Sequence, residues 1–599
     1  MEVKHHHSSD FTRIFDILQY QAEKYPNPNA LNAWVGGRWS NYSIESLIRH
    51  TDNLSCWFIR NGYERNDRVI LMPVMGSPEW MIIDLACQQC GIVTIPVHVT
   101  STVQDLELIL KETAARLCIC ATVDLCTSVH DANQRLGGQV KVYHLDPTQG
   151  GYFRWQVAEP ASEERALLQG IKNSISEEDE VTMLYTSGSS GIPKGVPLTH
   201  KNIVHNIKSI LPMLPLEPQH RVLSFLPFSH ILERMACYGY LAFGVSVYFS
   251  QRKDTFALDF NSVKPYFCTC VPRVLEKMYD YMQAQLMDKS LLKRKLIAWA
   301  FEIGMKYQSE GRMPFLFSLQ LFLARVLVLS QWRKKLGGKI RYMVVGAASL
   351  RPEIGRLFSA AGIHIVEGYG MTETAPLISI NRFEPGQNQF GTVGLVISGT
   401  EVKIDQPDAH GQGEILVRGP QIMKGYHQRP DLNQEVFTPD GWFRTGDVGR
   451  FINGRFLQIT DRKKDIFKTS AGVYIAPQHL QNHFAKSLFI QRCLIIGFQR
   501  PFVTALIVPN YEVLEAWCVQ EHIHWTSPQF MVHNIKVIAR FQHEIETLNE
   551  ALANIERVRR FVLCPQDWTV ESGELTASLK PIRQRIVSNY QNEIEKMYA

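Results

Sequence analysis

Short apolar runs alternate with amphipathic segments through the first half of the chain. Strand-like runs occur at 67–72, 92–97 and 181–185, and a helical pattern fills 79–90 between the first two. Alternating strands and helices place the strands side by side in a parallel sheet with helices on its faces. We therefore predict an α/β fold whose large N-terminal part contains doubly wound sheets.

The hydrophobic pattern changes near residue 391. Short strands separated by turns predict a small, barrel-like β-rich subdomain over 391–460. The run Asp-Arg-Lys-Lys-Asp at 461–465 is typical of a charged linker, and 466–599 has the pattern of a small α+β unit. We predict an N-terminal domain over 1–460, a hinge at 461–465 and a C-terminal domain over 466–599.

A loop rich in glycine and hydroxyl residues follows the predicted strand 181–185. It contains Thr186, Ser187, Gly188, Ser189, Ser190, Gly191 and Lys194. Exposed backbone N–H groups and a nearby cation are features of phosphate-binding loops. It is not a P-loop, because Pro193 stands where that motif needs its second glycine. A flexible turn is the alternative reading of these residues alone.

Three later stretches add groups that suit a nucleotide. They hold Gly346, Ala347 and Ala348, then Tyr369, Gly370, Thr372 and Glu373, and finally Asp447 between two glycines. Small residues let a flat ligand approach the backbone, an aromatic ring can stack on a base, and a carboxylate can bind Mg²⁺. An aspartate in a turn can accept ribose hydroxyls.

A strand-to-helix segment at 221–234 carries a polar trio. His230, Glu233 and Arg234 are spaced i, i+3 and i+4. Residues with this spacing share one helical face. On its own, the trio predicts a surface ion-pair cluster.

The order and spacing of seven motifs resemble the adenylate-forming superfamily, and within it the bacterial long-chain acyl-CoA synthetases. The motifs are YTSGSSGIPKGV, LPFSHILER, GAASL, GYGMTET, GWFRTGDVG, DRKKD and LTASLK. The resemblance implies that a fatty acid, ATP and CoA are the substrates and that Mg²⁺ is the cofactor. It implies an acyl-adenylate intermediate, then an acyl-CoA thioester with release of AMP and pyrophosphate.

The resemblance also implies roles for individual residues. Residues 186–195 would hold the β- and γ-phosphates, with Lys194 as a counter-charge. Thr372 would meet the α-phosphate and Glu373 would hold Mg²⁺. Tyr369 and Gly370 would pack on adenine against 346–348, and Asp447 and Arg462 would bind ribose.

The remaining roles concern the acyl group, CoA and the C-terminal part of the chain. Lys580 would be the catalytic lysine of a mobile C-terminal domain, and Lys464 its hinge. His230 and Gly472 would line the acyl and CoA pocket. Three motifs depart from the family pattern. GAASL replaces GGAPL and SGSSG replaces SGTTG, and both keep the side chains small. The tail around Lys580 has the sequence SLKPIR, where relatives often have K-x-K-R.

Composition excludes some other classes of protein. Hydrophobic residues make up 45% and charged residues 20%, which is typical of a soluble globular protein. A net charge of +5 over 599 residues gives no argument for nucleic-acid binding. The cysteines show no zinc or disulfide spacing, so buried thiols in a cytoplasmic protein are expected.

One apolar stretch, 315–332, approaches the length of a membrane span. Arg325 near its middle would cost about 2.5–3.5 kcal/mol in a bilayer, so a full span is not expected. Basic residues flank it within 289–341, which favours a helix pair on the cytoplasmic face of an anionic membrane. A buried core helix is the equal alternative.

Two other functions fit the same motifs. An acyl-AMP ligase or acyl-carrier-protein synthetase would not use CoA, and a silent lipid-binding scaffold would keep only the fold. The presence of Glu373, Asp447, Arg462 and Lys580 argues against the scaffold. Acyl chain length and oligomeric state are not readable from the sequence.

Overall fold

The computed structural model describes residues 11–187, 192–250, 256–284, 290–309, 314–470, 474–576 and 579–599. The predicted site residues Gly188, Ser189, Ser190, Gly191 and Gly472 lie outside the described residues.

The described chain contains strands in five sheets. The first twelve strands are β1 (Leu31–Val35), β2 (Arg38–Tyr42), β3 (Arg68–Met72), β4 (Val93–Pro96), β5 (Leu117–Cys120), β6 (Lys141–His144), β7 (Glu180–Ser187), β8 (Pro193–Thr199), β9 (Arg221–Ser224), β10 (Ser246–Phe249), β11 (Phe267–Cys270) and β12 (Tyr342–Val345). They are followed by β13 (His364–Gly370), β14 (Leu377–Ile380), β15 (Leu395–Val396), β16 (Glu401–Asp405), β17 (Gly413–Arg418), β18 (Phe443–Ile452), β19 (Phe456–Arg462), β20 (Phe467–Lys468), β21 (Tyr474–Ile475), β22 (Ile490–Ile496), β23 (Val503–Pro509) and β24 (Val558–Leu563).

Helices connect and cover these strands. The first eleven are α1 (Asp16–Lys24), α2 (Ile44–Arg60), α3 (Pro78–Gln89), α4 (Val103–Thr113), α5 (Val123–Arg135), α6 (Ser162–Ser174), α7 (His200–Ile210), α8 (Ile231–Phe243), α9 (Phe256–Val263), α10 (Pro272–Ala284) and α11 (Leu291–Met305). The others are α12 (Phe315–Ala324), α13 (Ser330–Lys335), α14 (Pro352–Ala360), α15 (Pro430–Val436), α16 (Pro477–Phe484), α17 (Tyr511–Gln520), α18 (Pro528–Met531), α19 (Ile535–Asn549), α20 (Arg583–Asn589) and α21 (Gln591–Tyr598). Short 3₁₀ turns occur at Leu211–Met213 and Thr372–Thr374, and a π-helical turn at Arg325–Leu329.

Two mainly parallel sheets build the N-terminal part. One has the strand order β15-β14-β13-β12-β11-β9-β10-β1-β2 and the other β6-β5-β3-β4-β7-β8. Strands β4 and β5 are buried at every position, as expected when helices cover both faces of a parallel sheet. Parallel strands end at a common edge, where such sheets bind ligands. The predicted α/β fold with a smaller C-terminal unit is confirmed.

Helices α3 and α8 lie in the shared core, and their polar residues pair with each other. The Arg234 guanidinium forms an ion pair with the Asp84 carboxylate, and the two side chains are 1% and 0% exposed. Tyr238 donates a hydrogen bond to the same carboxylate. Glu233 is also fully buried. The predicted surface cluster at His230, Glu233 and Arg234 is therefore wrong, because α8 is buried on almost every side.

After β15 the sheets become antiparallel and small. Strands β16 to β19 form one four-stranded sheet, which contains the β-rich pattern of 391–460. The C-terminal residues have a three-stranded sheet, β22-β23-β24, and hydrophobic clusters made only of residues after 466. The domain boundaries at 460 and 466 stay a prediction.

The C-terminal unit meets the N-terminal unit mainly through α16. Asn482 donates a hydrogen bond of 2.9 Å to the Ser349 hydroxyl. The Lys486 ammonium lies 3.8 Å from the Glu353 carboxylate. The Gln478 N–H donates to the Asp461 carboxylate over 3.1 Å. These polar contacts set the C-terminal unit against the carboxyl-end edge of the nine-stranded sheet.

The helices from α11 to α13 have one buried and one exposed face. Phe315–Lys335 is long and apolar enough to cross a membrane by length and composition, and 28% of its most apolar window is buried. Its inner side, including Leu329 and Trp332, packs in the core. We call the opposite side the outer helix face; its exposed apolar residues are Leu291, Leu292, Leu296, Phe315, Leu316, Leu319, Phe322, Leu323, Val326 and Leu327.

Candidate active site

The predicted phosphate loop connects two paired strands. Strand β7 runs antiparallel to β8, and Thr186 faces Lys194 in the register. The Lys194 ammonium lies 4.8 Å from the centre of the Tyr426 ring. Burial lowers the pKa of Lys194, nearby Glu373 raises it, and the cations Lys464 and Arg429 lower it again. Cationic groups therefore gather at the base of this loop.

Glu373 lies in the 3₁₀ turn that follows β13, next to Thr372. Its side chain is almost buried, and its carboxylate accepts a 2.8 Å hydrogen bond from the Tyr426 hydroxyl. Within the described ranges, no three His, Cys, Asp or Glu side chains are grouped as a metal site. One carboxylate fits Mg²⁺, which is often held by one or two carboxylates together with phosphate oxygens and water.

Close backbone packing shapes the strand before Glu373. A Cβ atom on Gly370 would lie 1.7 Å from the Pro376 carbonyl oxygen, so no other residue fits there without movement. The neighbouring loop after β12 leaves Ala347 and Ala348 exposed, and Ala347 has a φ of 71°. An alanine in this left-handed region carries strain that a glycine would not. The loop thus keeps an open surface for a flat ligand.

The predicted ribose site is formed by β13, β18 and β19. The Tyr369 hydroxyl donates to the Asp447 carboxylate over 2.7 Å. Arg462 pairs with Asp447 in the sheet register, and its Nε lies 3.6 Å from the carboxylate. Burial raises the pKa of Asp447, whereas Arg462, the Tyr369 hydrogen bond and Lys580 lower it. The three predicted residues therefore form one polar group.

Lys580 from the C-terminal unit reaches this group. Its loop is held by hydrogen bonds in which Thr576 donates its N–H to the Lys580 carbonyl and accepts the Lys580 N–H. The pKa of its ammonium is lowered by desolvation and then by Arg462, and raised by Asp447 and Glu373. Lys580 is exposed to solvent, so the desolvation of its ammonium is only partial. Lys464 lies in the turn after β19, close enough for its charge to lower the pKa of Lys194.

Two histidines lie close enough to Lys580 for its charge to lower their pKa values. The rings of His98 and His230 are 4.3 Å apart, and the Ser229 hydroxyl lies 2.8 Å from His98 Nδ1. Burial, with the Lys580 charge, lowers the pKa of His98 to about 4. Burial, His98 and Lys580 lower that of His230 to about 3. Both imidazoles are therefore neutral near pH 7, close to the lysine that the sequence predicts to be catalytic.

Sequence reasoning missed His98, Asp84 and Tyr426. His98 follows β4, and the carboxyl end of a strand in a predicted parallel sheet was a usable signal for it. Asp84 lies in an apolar helical run, where a carboxylate needs a partner. Tyr426 gave no comparable signal, because its contacts with Lys194 and Glu373 arise only in the folded chain.

A small apolar cavity lies beneath the site. Its volume is about 40 Å³, and its lining includes Leu232, Gly239, Tyr240 and Leu377. Leu232 and Leu377 also pack against the backbone of Gly346 and Gly368. A Cβ atom on Gly239 would meet nothing within 4 Å. The cavity therefore adjoins the predicted nucleotide loops and has room beside α8.

Family models match both parts of the chain. The model described as AMP-binding enzyme matches residues 18–427, and that described as AMP-binding enzyme C-terminal domain matches residues 464–599.

Curated relatives match along nearly the whole chain. The peroxisomal long chain acyl-CoA synthetase 7 of Arabidopsis thaliana is 30% identical, over 98% of this chain and 85% of its own length. The long-chain-fatty-acid–CoA ligase FadD15 of Mycobacterium bovis is 29% identical, over 94% of this chain and 93% of its own.

Solved structures share the fold at low identity. The adenylation domain of a carboxylic acid reductase from Segniliparus rugosus, solved with AMP and a co-purified carboxylic acid, has a TM-score of 0.73 and 19% identity, covering 98% of this chain and 94% of its own. ATP-bound MatB from Rhodopseudomonas palustris has a TM-score of 0.69 and 19% identity, covering 97% and 99%.

Proposed function

Because the chain belongs to the family of AMP-binding enzymes, we propose that it activates a long-chain fatty acid with ATP and transfers the acyl group to CoA. In the first step the fatty acid carboxylate forms a bond to the α-phosphorus and pyrophosphate leaves. In the second, the CoA sulfur forms a bond to the acyl carbon, AMP leaves, and the thiol proton passes to solvent. The relatives with whole-length similarity are named for this reaction.

The observation that supports this function is the position of Lys580. Its ammonium shares an electrostatic environment with Glu373, Asp447 and Arg462, although it comes from the other unit of the chain. A cation there would draw the acyl carboxylate to the α-phosphate and stabilise the charge that develops between them. The proposed catalytic residues are Lys580, Thr372 and Glu373.

The other residues have binding roles in this proposal. Glu373 would hold Mg²⁺, which neutralises phosphate charge when bound. Lys194 and the loop from Thr186 would hold the pyrophosphate end of ATP. Tyr369 would pack on adenine, and Asp447 with Arg462 would bind ribose. His230, neutral at pH 7, would line the path of the acyl group and CoA.

Product release from ATP tests the reaction. With palmitate and Mg²⁺, we expect pyrophosphate release that depends on palmitate, and many turnovers of AMP release only when CoA is present. A single turnover with or without CoA would support the acyl-AMP ligase or carrier-protein alternative. Palmitate binding without any pyrophosphate release would support the silent scaffold.

We propose that the acyl chain occupies and widens the apolar cavity at α8. A cavity of about 40 Å³ is too small for a long chain, so neighbouring side chains must move. Each buried methylene contributes about 0.8 kcal/mol of binding free energy, which favours long acyl chains over short ones.

Gly239→Leu would fill the cavity, and we expect the ratio of palmitate to octanoate activity to fall about tenfold. Gly239→Ala is the matched control, since its methyl group meets no atom; an unchanged ratio in the leucine variant would contradict this acyl site.

We also propose that the protein works on the cytoplasmic face of an anionic membrane. The outer helix face exposes large apolar side chains, among them Phe315 at 85% and Leu292 at 82%. Basic residues border it on α11 and α13; they are Lys293, Arg294, Lys295, Arg333, Lys334 and Lys335. Each basic residue near an anionic bilayer contributes about 1 kcal/mol of attraction. A fatty acid that is poorly soluble in water would then be taken up from the bilayer into which it partitions.

Vesicle sedimentation tests this membrane contact. We expect pelleting with phosphatidylserine vesicles at low salt, little with phosphatidylcholine alone, and loss of pelleting in Phe315→Ser/Leu319→Ser/Phe322→Ser. The control Phe530→Ser/Ile535→Ser removes apolar side chains that are 72% and 84% exposed in the C-terminal unit. Absence of pelleting at low salt, or pelleting without vesicles because copies associate through this face, would overturn the proposal.

A further inference from the structure

One short segment joins the two loops assigned to the ATP phosphates. The Met423 N–H donates to the Glu373 carbonyl over 2.9 Å, and the His427 N–H donates to the Gly195 carbonyl over 2.9 Å. Gly195 follows Lys194 at the end of the phosphate loop. The segment 423–427 therefore ties the backbone of the phosphate loop to the backbone of the metal-binding turn.

Tyr426, within this segment, makes the same connection with its side chain. Its hydroxyl donates to Glu373 Oε1 over 2.8 Å, and its ring lies under the Lys194 ammonium at 4.8 Å. Tyr426 is 7% exposed and Glu373 is 6% exposed. The phenol is the donor in this hydrogen bond, because an ionised carboxylate can only accept.

The backbone around Tyr426 is fixed by α15. Asn433 accepts the Tyr426 N–H over 2.7 Å and donates to its carbonyl over 3.2 Å. A Cβ atom on Gly425 would lie 2.8 Å from the Asn433 amide nitrogen, so the approach needs glycine. These contacts therefore fix the backbone from which the phenol reaches Glu373.

We propose that Tyr426 is a positioning residue that holds Glu373 and Lys194 ready for Mg²⁺ and the ATP phosphates. The hydrogen bond to Oε1 fixes the carboxylate and leaves Oε2 for the metal. The ring attracts the ammonium by a cation–π interaction, which adds no negative charge. The inference rests on the proposed role of Glu373 and Lys194 in ATP binding.

The arrangement solves an electrostatic problem. A direct ion pair between Lys194 and Glu373 would neutralise both groups and would have to break before ATP and Mg²⁺ could bind. No such ion pair occurs among the described residues, although Glu373 lies near enough to raise the pKa of Lys194. By placing its ring under the ammonium and its hydroxyl on the carboxylate, Tyr426 keeps the two charges close but separate.

Two substitutions separate the functions of ring and hydroxyl. Tyr426→Phe removes the hydrogen bond to Glu373 and keeps the ring under Lys194. Tyr426→Leu removes both. Tyr511→Phe is the matched control, because that hydroxyl makes a 2.7 Å hydrogen bond to the Cys564 carbonyl inside the C-terminal unit.

Calorimetric titration of the full-length protein gives a readout that needs no turnover. ATP is titrated at several Mg²⁺ concentrations without fatty acid, and pyrophosphate exchange with palmitate is measured in parallel. We expect Tyr426→Phe to raise the Mg²⁺ concentration for half-maximal ATP binding about 10- to 100-fold, the usual effect of losing a residue that orients a metal ligand. At saturating Mg²⁺ its ATP affinity should stay within about twofold of wild type, since the cation–π contact is kept.

Tyr426→Leu should show the same Mg²⁺ effect and a further loss of ATP affinity of about two- to fivefold at saturating Mg²⁺. Tyr511→Phe should change neither quantity. An unchanged Mg²⁺ requirement in Tyr426→Phe would overturn the proposal, and so would a loss that is equal at every Mg²⁺ concentration, which indicates a general structural role. If the wild type binds Mg-ATP but shows no palmitate-dependent exchange, the proposed function fails while the titrations still decide the role of Tyr426.

Discussion

The two sides of the candidate active site are held in very different ways. The N-terminal side rests on buried pairs, such as the Asp84–Arg234 ion pair with 0% and 1% exposure. The C-terminal side touches it through exposed contacts, such as Lys486 and Glu353, which lie 3.8 Å apart and are 42% and 43% exposed. Buried charges are costly to separate, whereas exposed pairs separate easily. We therefore propose that the groups that would bind ATP are held in place, whereas the unit that carries Lys580 can leave.

This difference fits a reaction in two steps. In the proposed reaction, adenylation would need Lys580 beside Glu373 and Asp447, and thioester formation would need access for CoA to the same acyl carbon. The buried framework of the N-terminal side would keep the adenylate in place while Lys580 leaves and CoA enters. The same framework would then serve both steps.

The strongest effect is expected from breaking the buried framework. Asp84→Ala leaves the Arg234 guanidinium uncompensated in the core and should cost about 3–5 kcal/mol of unfolding free energy. Urea unfolding of the N-terminal unit, followed by tryptophan fluorescence, measures this loss. Asp67→Ala is the matched control, because its partner Arg116 is 46% exposed, and about 0–1 kcal/mol is expected. Equal losses in the two variants would mean that the core pair is not part of the framework.

Loss of Lys580 should affect one half-reaction. Lys580→Ala removes a preorganised cation, and we expect adenylation to slow by about 10²–10³. Thioester formation from supplied acyl-adenylate should change much less, because the unit that carries the lysine would already have left the site. Pyrophosphate exchange and acyl-CoA formation measure the two steps. Lys596→Ala, in the same unit, controls for loss of a surface charge, and equal losses in both steps would reject the assignment.

A buried acid should make the framework sensitive to pH. Burial raises the pKa of Glu233 to about 7, against the hydrogen bonds donated by Ser224 and Thr269. A raised pKa in the folded state means that the protonated acid is favoured there, so stability is lost as pH rises from about 4.5 through 7. Relative to Glu233→Gln, the wild type should lose about 3 kcal/mol of unfolding free energy between these pH values.

Unfolding midpoints of the two proteins across pH 5 to 8 test this expectation. Glu302→Gln is the control, since that carboxylate is 65% exposed and pairs with Lys306 at the end of its helix. Parallel curves for wild type and Glu233→Gln would show that Glu233 does not titrate in this range.

The sequence predicted more of the ligand-binding loops than of the buried framework beneath them. Glu373, Asp447, Arg462 and Lys580 stand in motifs, because polar groups that meet a ligand sit in loops with recognisable turn residues. The structure brings them together, although their roles stay predictions. Glu233 and Arg234 were placed on the surface by helical spacing, since periodicity cannot show that a helix is covered on both sides. Asp84 and Arg234 are 150 positions apart, and only the folded chain makes them partners.

The smallest effect should come from the contact between the units. The Lys486–Glu353 pair is exposed on both sides, so Lys486→Ala should cost at most about 1 kcal/mol, or a fivefold change in rate. The loss should fall on adenylation alone, because only that arrangement contains the contact, and salt at 0.5 M should abolish it by screening. Lys306→Ala removes a comparable exposed pair at the end of α11 and should leave both steps unchanged. A loss as large as that of Lys580→Ala, or one shared by both half-reactions, would show that the two sides are joined more tightly than their exposed contacts allow.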